Sequence, residues 1–208
     1  MEFHLWLTML ITSLFISISP GCGAITTINS ALNYGFKRSY AAIIGLQVGY
    51  LVQIIIVCIG LGGVIAASAA LYNIIKWFGV LYLIYLGISS FRASAAHFKH
   101  EKMEKAFKFS SLFIKASLVN LTNPKATIFL LAFIPQFLSL NKPEFTQIVT
   151  ICATLIGVDL AVMSCYGVLG STMKKHINNE KFMRVQNRLA GLALITAALF
   201  LSGIFEDF

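Results

Sequence analysis

Charged residues are scarce in this chain of 208 residues: only 12% are Asp, Glu, Lys or Arg, whereas 58% are hydrophobic. A typical soluble domain carries about 25% charged residues. With a mean hydropathy of +0.82, the chain has too few polar residues to cover a soluble core of its size. This composition excludes a soluble enzyme and a secreted domain. It predicts an all-α integral membrane protein with room for about six spans of ~20 residues each.

Motifs for metal binding and redox chemistry are also lacking. His97 and His100 have H-x-x-H spacing, but they lie in a basic loop and form too small a set for a metal site. Four cysteines lie in apolar stretches without CxxC or metal-ligand spacing: Cys22, Cys58, Cys152 and Cys165. We therefore expect no metal, no cofactor and no enzymatic activity.

Acidic residues are few as well, with 8 Asp and Glu against 16 Lys and Arg. Membrane proteins collect Lys and Arg in their cytoplasmic loops, so the excess predicts an orientation and not a nucleic-acid partner. Twelve of the cationic residues fall in three loops on one side of the predicted spans, at 35–39, 92–110 and 171–188. Only Lys142 falls on the other side, which predicts that both termini lie outside the cytoplasm.

Six hydrophobic runs are predicted to cross the bilayer: 4–34, 40–67, 71–91, 110–140, 145–170 and 189–205. The first run lacks a basic start and a good cleavage site, so we expect a retained helix and not a signal peptide. As one straight helix it would be about 46 Å long, against a hydrocarbon core of ~30 Å. The first and fourth runs each have a proline near the middle, which predicts broken or tilted helices at Pro20 and Pro124.

The predicted orientation makes the first three spans run opposite to the last three. Two three-helix halves of opposite topology are typical of an inverted-repeat transporter. Pro20 and Pro124 are 104 residues apart, which is half of the 208-residue chain. We predict one membrane domain over 1–208, made of a first repeat, a basic cytoplasmic loop and a second repeat at 1–91, 92–110 and 111–208.

A broken helix in hydrocarbon is tolerated only where it is buried in protein or lines a wet cavity. After Pro20, Gly21 and Gly23 leave free N–H groups at the positive end of a half-helix, which suits a carboxylate. Beyond this break, one helical face carries polar residues that line either a cavity or a helix–helix contact: Cys22, Thr26, Asn29, Ser30 and Asn33.

The break at Pro124 has a similar polar character. Asn123 before the proline favours a turn that leaves carbonyl groups without helical partners. These carbonyls and the amides of Asn120 and Asn123 are candidate ligands of an ammonium group. Lys125 is either a partner of a substrate carboxylate or a side chain that extends to the cytoplasmic interface.

Asp159 is the one acidic residue deep within a predicted span. Burying such a group costs about 2.5–3.5 kcal/mol on insertion scales, so a functional role is the first hypothesis. We expect Asp159 to couple transport to protons or to contact a substrate ammonium group. The alternative is a structural ion pair, for example with Lys125.

Small residues recur every fourth position in the second run, at Ala41, Gly45 and Gly49. This spacing lets another helix approach closely. We predict helix packing at five glycines: Gly45, Gly49, Gly79, Gly87 and Gly157.

Several motifs occur in a fixed order along the chain: Ser19-Pro20-Gly21, the run from Gly79 to Gly87, Asn123-Pro124-Lys125-Ala126, the run from Phe133 to Phe137, Asp159, and Asn187-Arg188-x-x-Gly191. This ordered set resembles the LysE/RhtB family of bacterial amino-acid exporters along essentially the whole chain. The resemblance implies a multi-pass, six-helix inner-membrane protein that exports small amino acids or their derivatives, driven by protons. The loop charges predict that its termini are periplasmic. The expected partners are the amino acid, protons and the lipid bilayer; the oligomeric state stays open, with a homodimer as one alternative.

Two positions depart from the family pattern near the expected substrate path. Cys22 stands where the family often has a second proline, and Tyr50 stands where it often has a polar or acidic residue. Both departures bear on the identity of the substrate more than on the fold.

Two other functions remain as alternatives. A divalent metal-ion effluxer would need His97, His100 and His176. A membrane thiol–disulfide carrier would use Cys22 and a second thiol at the symmetry-related position, which is Ala126.

Overall fold

The computed structural model describes residues 2–19, 21–92, 106–138, 143–172 and 180–202. All regular structure in these ranges is helical, so the all-α prediction is confirmed for them. The helices in chain order are α1 (Phe3–Ile18), α2 (Cys22–Tyr34), α3 (Phe36–Ala67), α4 (Ala69–Arg92), α5 (Phe109–Leu121), α6 (Pro124–Phe133), a 3-10 helix (Ile134–Phe137), α7 (Glu144–Thr172) and α8 (Glu180–Leu201).

Three of these helices are by themselves long and apolar enough to cross a membrane, within Phe36–Leu61, Asn73–Arg92 and Phe145–Thr172. Two bent pairs would each add one span: α1 with α2 at 55°, and α5 with α6 and the 3-10 helix at 52°. The described ranges therefore hold three to five candidate spans. Helix α8 is not among them, so the arrangement of six spans in two inverted repeats stays a prediction.

Large apolar side chains lie on the outer surface of the helices. Six of them are between 61% and 67% exposed: Ile56, Ile59, Ile74, Phe78, Leu81 and Tyr85. An apolar surface of this kind is unfavourable in water and favourable against lipid chains, as expected for an integral membrane protein.

The bend between α1 and α2 begins after Ile18. Helix α2 starts at Cys22, and Gly21 before it has extended backbone geometry with φ of −141°. Pro20 lies outside the described residues, and the helix ends on either side of it agree with the predicted break position.

The bend between α5 and α6 follows from the sequence Asn123-Pro124. Proline has no N–H group and a fixed φ, which suit the first position of a helix. The Oδ1 atom of Asn123 accepts hydrogen bonds from the backbone N–H groups of Lys125 and Ala126, at 3.1 and 3.4 Å. Asn123 therefore caps α6 and defines where it starts.

Gly45 and Gly49 lie where α3 crosses α5. A Cβ atom at Gly45 would clash with the backbone carbonyl oxygen of Phe113, and one at Gly49 with that of Ser117. The absence of side chains at these two positions allows the backbones of α3 and α5 to touch.

Two glycines of α4 have similar contacts, while one glycine of α7 does not. A Cβ atom at Gly79 would clash with the carbonyl of Ala132 in α6, and one at Gly87 would lie 2.8 Å from the carbonyl oxygen of Gly191 in α8. Apart from the nearby backbone of α7 itself and the two chain neighbours, no atom of the described ranges lies within 4 Å of a Cβ atom added to Gly157. The packing prediction is therefore wrong for Gly157, because α7 turns this exposed position away from its described neighbours.

Two clusters of buried side chains hold the helices together. One joins α1, α3, α4, α6, α7 and α8 around Phe133 and Ile54. The other joins α2, α3, α5 and α7 around Ile28, Leu46 and Met163. Both clusters contribute residues to the wall of the cavity described next.

Candidate functional site

A cavity of about 90 Å³ lies between the two helix breaks. One water molecule requires roughly 10–15 Å³ of such space, so the cavity has room for several waters or a small polar molecule. Its polar lining residues come from α1, α2, α3, α5, α6, α7 and the segments beside the breaks: Ser17, Ser19, Cys22, Tyr50, Asn120, Asn123, Lys125 and Asp159.

Most of the site residues predicted from the sequence line this cavity: Gly21, Gly23, Asn120, Asn123, Lys125 and Asp159. Thr26 does not, because it lies one turn farther along α2, where its carbonyl accepts a hydrogen bond from the Ser30 hydroxyl at 2.7 Å. Pro124 does not line it either and serves to start α6. Pro20 lies outside the described ranges.

Two of the remaining polar side chains of this stripe bond within α2 itself. The side chain of Asn33 donates to the carbonyl of Asn29 at 2.7 Å, as Ser30 does to Thr26. The polar stripe therefore reaches the cavity only at its first residue, Cys22.

The starts of α2 and α6 both reach the cavity but differ in their capping. In α6, the backbone N–H groups of Lys125 and Ala126 already donate hydrogen bonds to the side chain of Asn123. In α2, the N-cap residue is Gly21, which has no side chain, and the first helical hydrogen bond is donated by Ile25 at 3.0 Å. Within the described ranges, the N–H groups of residues 22–24 donate no hydrogen bond, and such groups at a helix start suit an anion.

The amides of Asn120 and Asn123 serve the fold. The Nδ2 atom of Asn120 donates to the carbonyl of Leu46 in α3 at 2.8 Å, and Asn123 caps α6. The carbonyl of Leu121, at the end of α5, accepts a hydrogen bond from Gln53 at 3.1 Å. Leu121 thus has a side-chain donor from another helix where a helical N–H group is missing, so its carbonyl is already occupied.

Asp159 provides the carboxylate of the cavity. Its Oδ2 atom accepts a hydrogen bond from Nε2 of Gln47 in α3 at 2.7 Å, and the Ser17 side chain in α1 also bonds to it. Lys125 lines the same cavity, yet it forms no ion pair with Asp159 within the described ranges. The alternative of a structural Asp159–Lys125 pair is therefore not what this structure has.

Two partners of Asp159 were missed from the sequence, Gln47 and Ser17. The available signal was an amide side chain inside an apolar run, since Gln47 is buried in the middle of α3. Tyr50, identified as a departure from the family pattern, lies in the cavity wall and is buried.

The structure offers little to the two alternative functions. In the described part of the chain, no group of three or more His, Cys, Asp or Glu could hold a metal ion. The histidines at 97, 100 and 176 lie outside that part. None of the four cysteines forms a disulfide within the described residues, and Ala126 lies in the cavity wall where a thiol carrier would need a second cysteine.

Comparison with known proteins identifies the family. A family model described as LysE type translocator matches residues 14–203. Homoserine/homoserine lactone efflux proteins of Salmonella typhimurium and Salmonella typhi are 38% identical over 203 residues, covering 97% of this chain and 98% of theirs. An uncharacterized membrane protein of Vibrio cholerae is 35% identical over 206 residues, covering 97% of this chain and 98% of its own. No solved structure matches the chain significantly. The chain belongs to the LysE type translocator family and is a membrane transport protein, not an enzyme.

Proposed function

We propose that this protein exports small, polar amino acids of the homoserine type across the bacterial inner membrane, in exchange for protons. Family membership and the two relatives named for homoserine and homoserine lactone efflux support the substrate class. The observation that carries the proposal is a small cavity, at the two helix breaks, that combines a carboxylate with an uncapped helix N-terminus.

The cavity suits a zwitterion because it separates groups of opposite polarity. The substrate carboxylate lies against the free N–H groups that follow Gly21, where the dipole of α2 is positive. The substrate ammonium group lies against Asp159. Asn123 is a poor second choice for the ammonium group, because its amide oxygen already caps α6.

The apolar part of the wall limits the size of the substrate side chain. Leu46, Phe129 and Met163 line the cavity, and its volume is about 90 Å³. A short side chain with one hydroxyl group fits such a space, whereas a long basic or aromatic side chain does not. Hydroxyl groups of Ser17, Ser19 and Tyr50 are candidates to bind the substrate hydroxyl.

Proton coupling is assigned to Asp159, the only acidic residue among the described residues of the cavity wall. A carboxyl group that binds either a proton or a substrate ammonium group makes the two events mutually exclusive. Export then follows if Asp159 takes up a proton from the outer side and releases it to the cytoplasm between transport cycles. The basic loops face the cytoplasm and the termini face the periplasm.

Reconstituted protein tests this function. Vesicles that contain the protein are loaded with radiolabelled homoserine, and a proton gradient directed into the vesicles is imposed. They should release the label faster than protein-free vesicles, and an uncoupler should slow this release. Threonine and homoserine lactone should compete, whereas lysine and tryptophan should not. Absence of release for homoserine, threonine and the lactone alike would overturn the proposed function, and cadmium transport in the same vesicles would favour a metal effluxer.

A further inference from the structure

Gln47 connects Asp159 to the middle of α3. The 2.7 Å hydrogen bond from its Nε2 atom to Oδ2 of Asp159 joins residues from two long helices, α3 and α7. This distance is within the range of charge-assisted hydrogen bonds, as expected for a donor that faces an ionised carboxylate. Gln47 thereby holds the carboxylate at one position in the cavity wall.

The oxygen of the Gln47 amide accepts no hydrogen bond from the described residues. This Oε1 atom is buried, and the side chain is only 7% exposed. An ionised carboxylate only accepts hydrogen bonds, whereas a protonated one also donates one. A buried amide next to a carboxyl group can therefore serve both forms, since its two ends have nearly the same shape and opposite polarity.

We propose that Gln47 is a positioning residue for Asp159, whose amide reverses when the carboxyl group takes up a proton. In the ionised form, Nε2 donates to Oδ2 of Asp159, as in this structure. When a proton binds to Oδ2, the amide rotates by half a turn, and its Oε1 atom accepts a hydrogen bond from the new O–H group of Asp159. The carboxyl group thus keeps its position through the proton cycle. This inference rests on the proposed proton coupling at Asp159.

Other ionisable groups near Asp159 do not replace this partner. From α2, α3 and α6, the titratable side chains that share the cavity with Asp159 are Cys22, Tyr50 and Lys125. Within the described ranges, none of them forms a hydrogen bond or an ion pair with the carboxylate, and α1 contributes only the Ser17 hydroxyl. Gln47 is thus the partner whose donor and acceptor can exchange places.

The test compares two glutamines of the same helix. Gln47→Leu removes donor and acceptor at similar volume. Gln53→Leu is the matched control, because Gln53 is also buried but donates to the Leu121 carbonyl and the Thr127 hydroxyl, at 3.1 and 2.8 Å. Homoserine transport is measured in vesicles as a function of pH, with the wild-type protein and with both variants.

In Gln47→Leu, the pH of half-maximal transport should shift by about one unit, the size expected when an ionised group loses a strong hydrogen bond. In Gln53→Leu, the rate falls but the pH of half-maximal transport stays at the wild-type value. Gln47→Glu keeps the shape of the side chain and should displace the profile further, because two adjacent carboxyl groups share a proton. It also serves as the test if Gln47→Leu does not fold.

The outcomes separate this inference from the proposed function. Wild-type transport without any dependence on the proton gradient would overturn the coupling itself. Proton-driven wild-type transport, together with unchanged profiles in the folded Gln47 variants, would overturn the role of Gln47 alone.

Discussion

The hydroxyl group of Tyr166 in α7 donates a hydrogen bond of 2.5 Å to the carbonyl oxygen of Ile18, the last residue of α1. Gln186 of α8 donates to the same carbonyl at 2.6 Å. At the other break, the last residue of α5, Leu121, is bonded by Gln53 of α3. Each broken helix therefore has its terminal carbonyl satisfied by a side chain from another helix, as a break within hydrocarbon requires.

Tyr166→Phe should destabilise the protein because it removes a donor from the end of α1. A hydrogen bond of this kind contributes about 1 kcal/mol, so Tm should fall by roughly 2–4 °C. Thermal unfolding of the purified protein in detergent measures this change. Tyr40→Phe is the control, since the Tyr40 hydroxyl bonds to the Ser164 hydroxyl at a longer 3.3 Å; an equal loss of Tm in both variants would contradict a special role for the Ile18 contact.

Gly49→Ala and Gly157→Ala should have opposite effects on stability. The new Cβ atom at position 49 meets the backbone carbonyl of Ser117, so overpacking should cost about 1–3 kcal/mol. At position 157 it meets no described atom, and the better helix propensity of alanine should stabilise the protein by up to about 1 kcal/mol. Thermal unfolding of both variants gives the comparison, and a stabilised Gly49→Ala variant would contradict the α3–α5 contact.

Cys22 provides a native reporter of the cavity, because it is exposed and lies in the cavity wall. N-ethylmaleimide should modify it and block transport, and bound homoserine should slow this reaction several-fold. Cys165 is also exposed but does not line the cavity. In a Cys22→Ser variant, the remaining labelling should be insensitive to homoserine; protection that persists in this variant would show that the substrate binds elsewhere.

Lys125→Gln should separate substrates by their charge. If the lysine contacts the substrate carboxylate, the variant should lose about tenfold in apparent affinity for homoserine, the size of one charged hydrogen bond. Homoserine lactone has no free carboxylate, so its transport should change little. Lys115→Gln on the exposed side of α5 is the control. An equal loss for both substrates would assign Lys125 to the interface and not to substrate binding.

The positions of both helix breaks could be predicted from the sequence, because proline and its neighbours act locally on the backbone. The combination Asn123-Pro124 predicts the end of one helix and the start of the next, and the structure places both there. The spacing of Gly45 and Gly49 similarly predicts a close helix contact, and a Cβ atom at either position would strike the backbone of α5.

The partners of the site residues could not be predicted in the same way. Gln47 and Asp159 are 112 residues apart, and their contact depends on how α3 and α7 are rotated against each other. Asn123 has the right chemistry for a ligand, yet its amide is used to cap α6. The sequence also does not show which glycines pack against another helix. A glycine in a membrane helix indicates packing only where a neighbouring helix faces it, and none of the described helices faces Gly157 in this way.

Asp159→Asn tests proton coupling at Asp159 most directly, because it keeps the size of the side chain and removes the group that exchanges a proton. The measurement is homoserine release from vesicles driven by an imposed pH gradient, at equal amounts of reconstituted protein. Glu2→Gln, in an exposed acidic residue outside the cavity, is the control. Asp159→Asn should reduce gradient-driven release to the level of protein-free vesicles, while Glu2→Gln should transport normally. Full gradient-driven transport by Asp159→Asn would contradict proton coupling at Asp159.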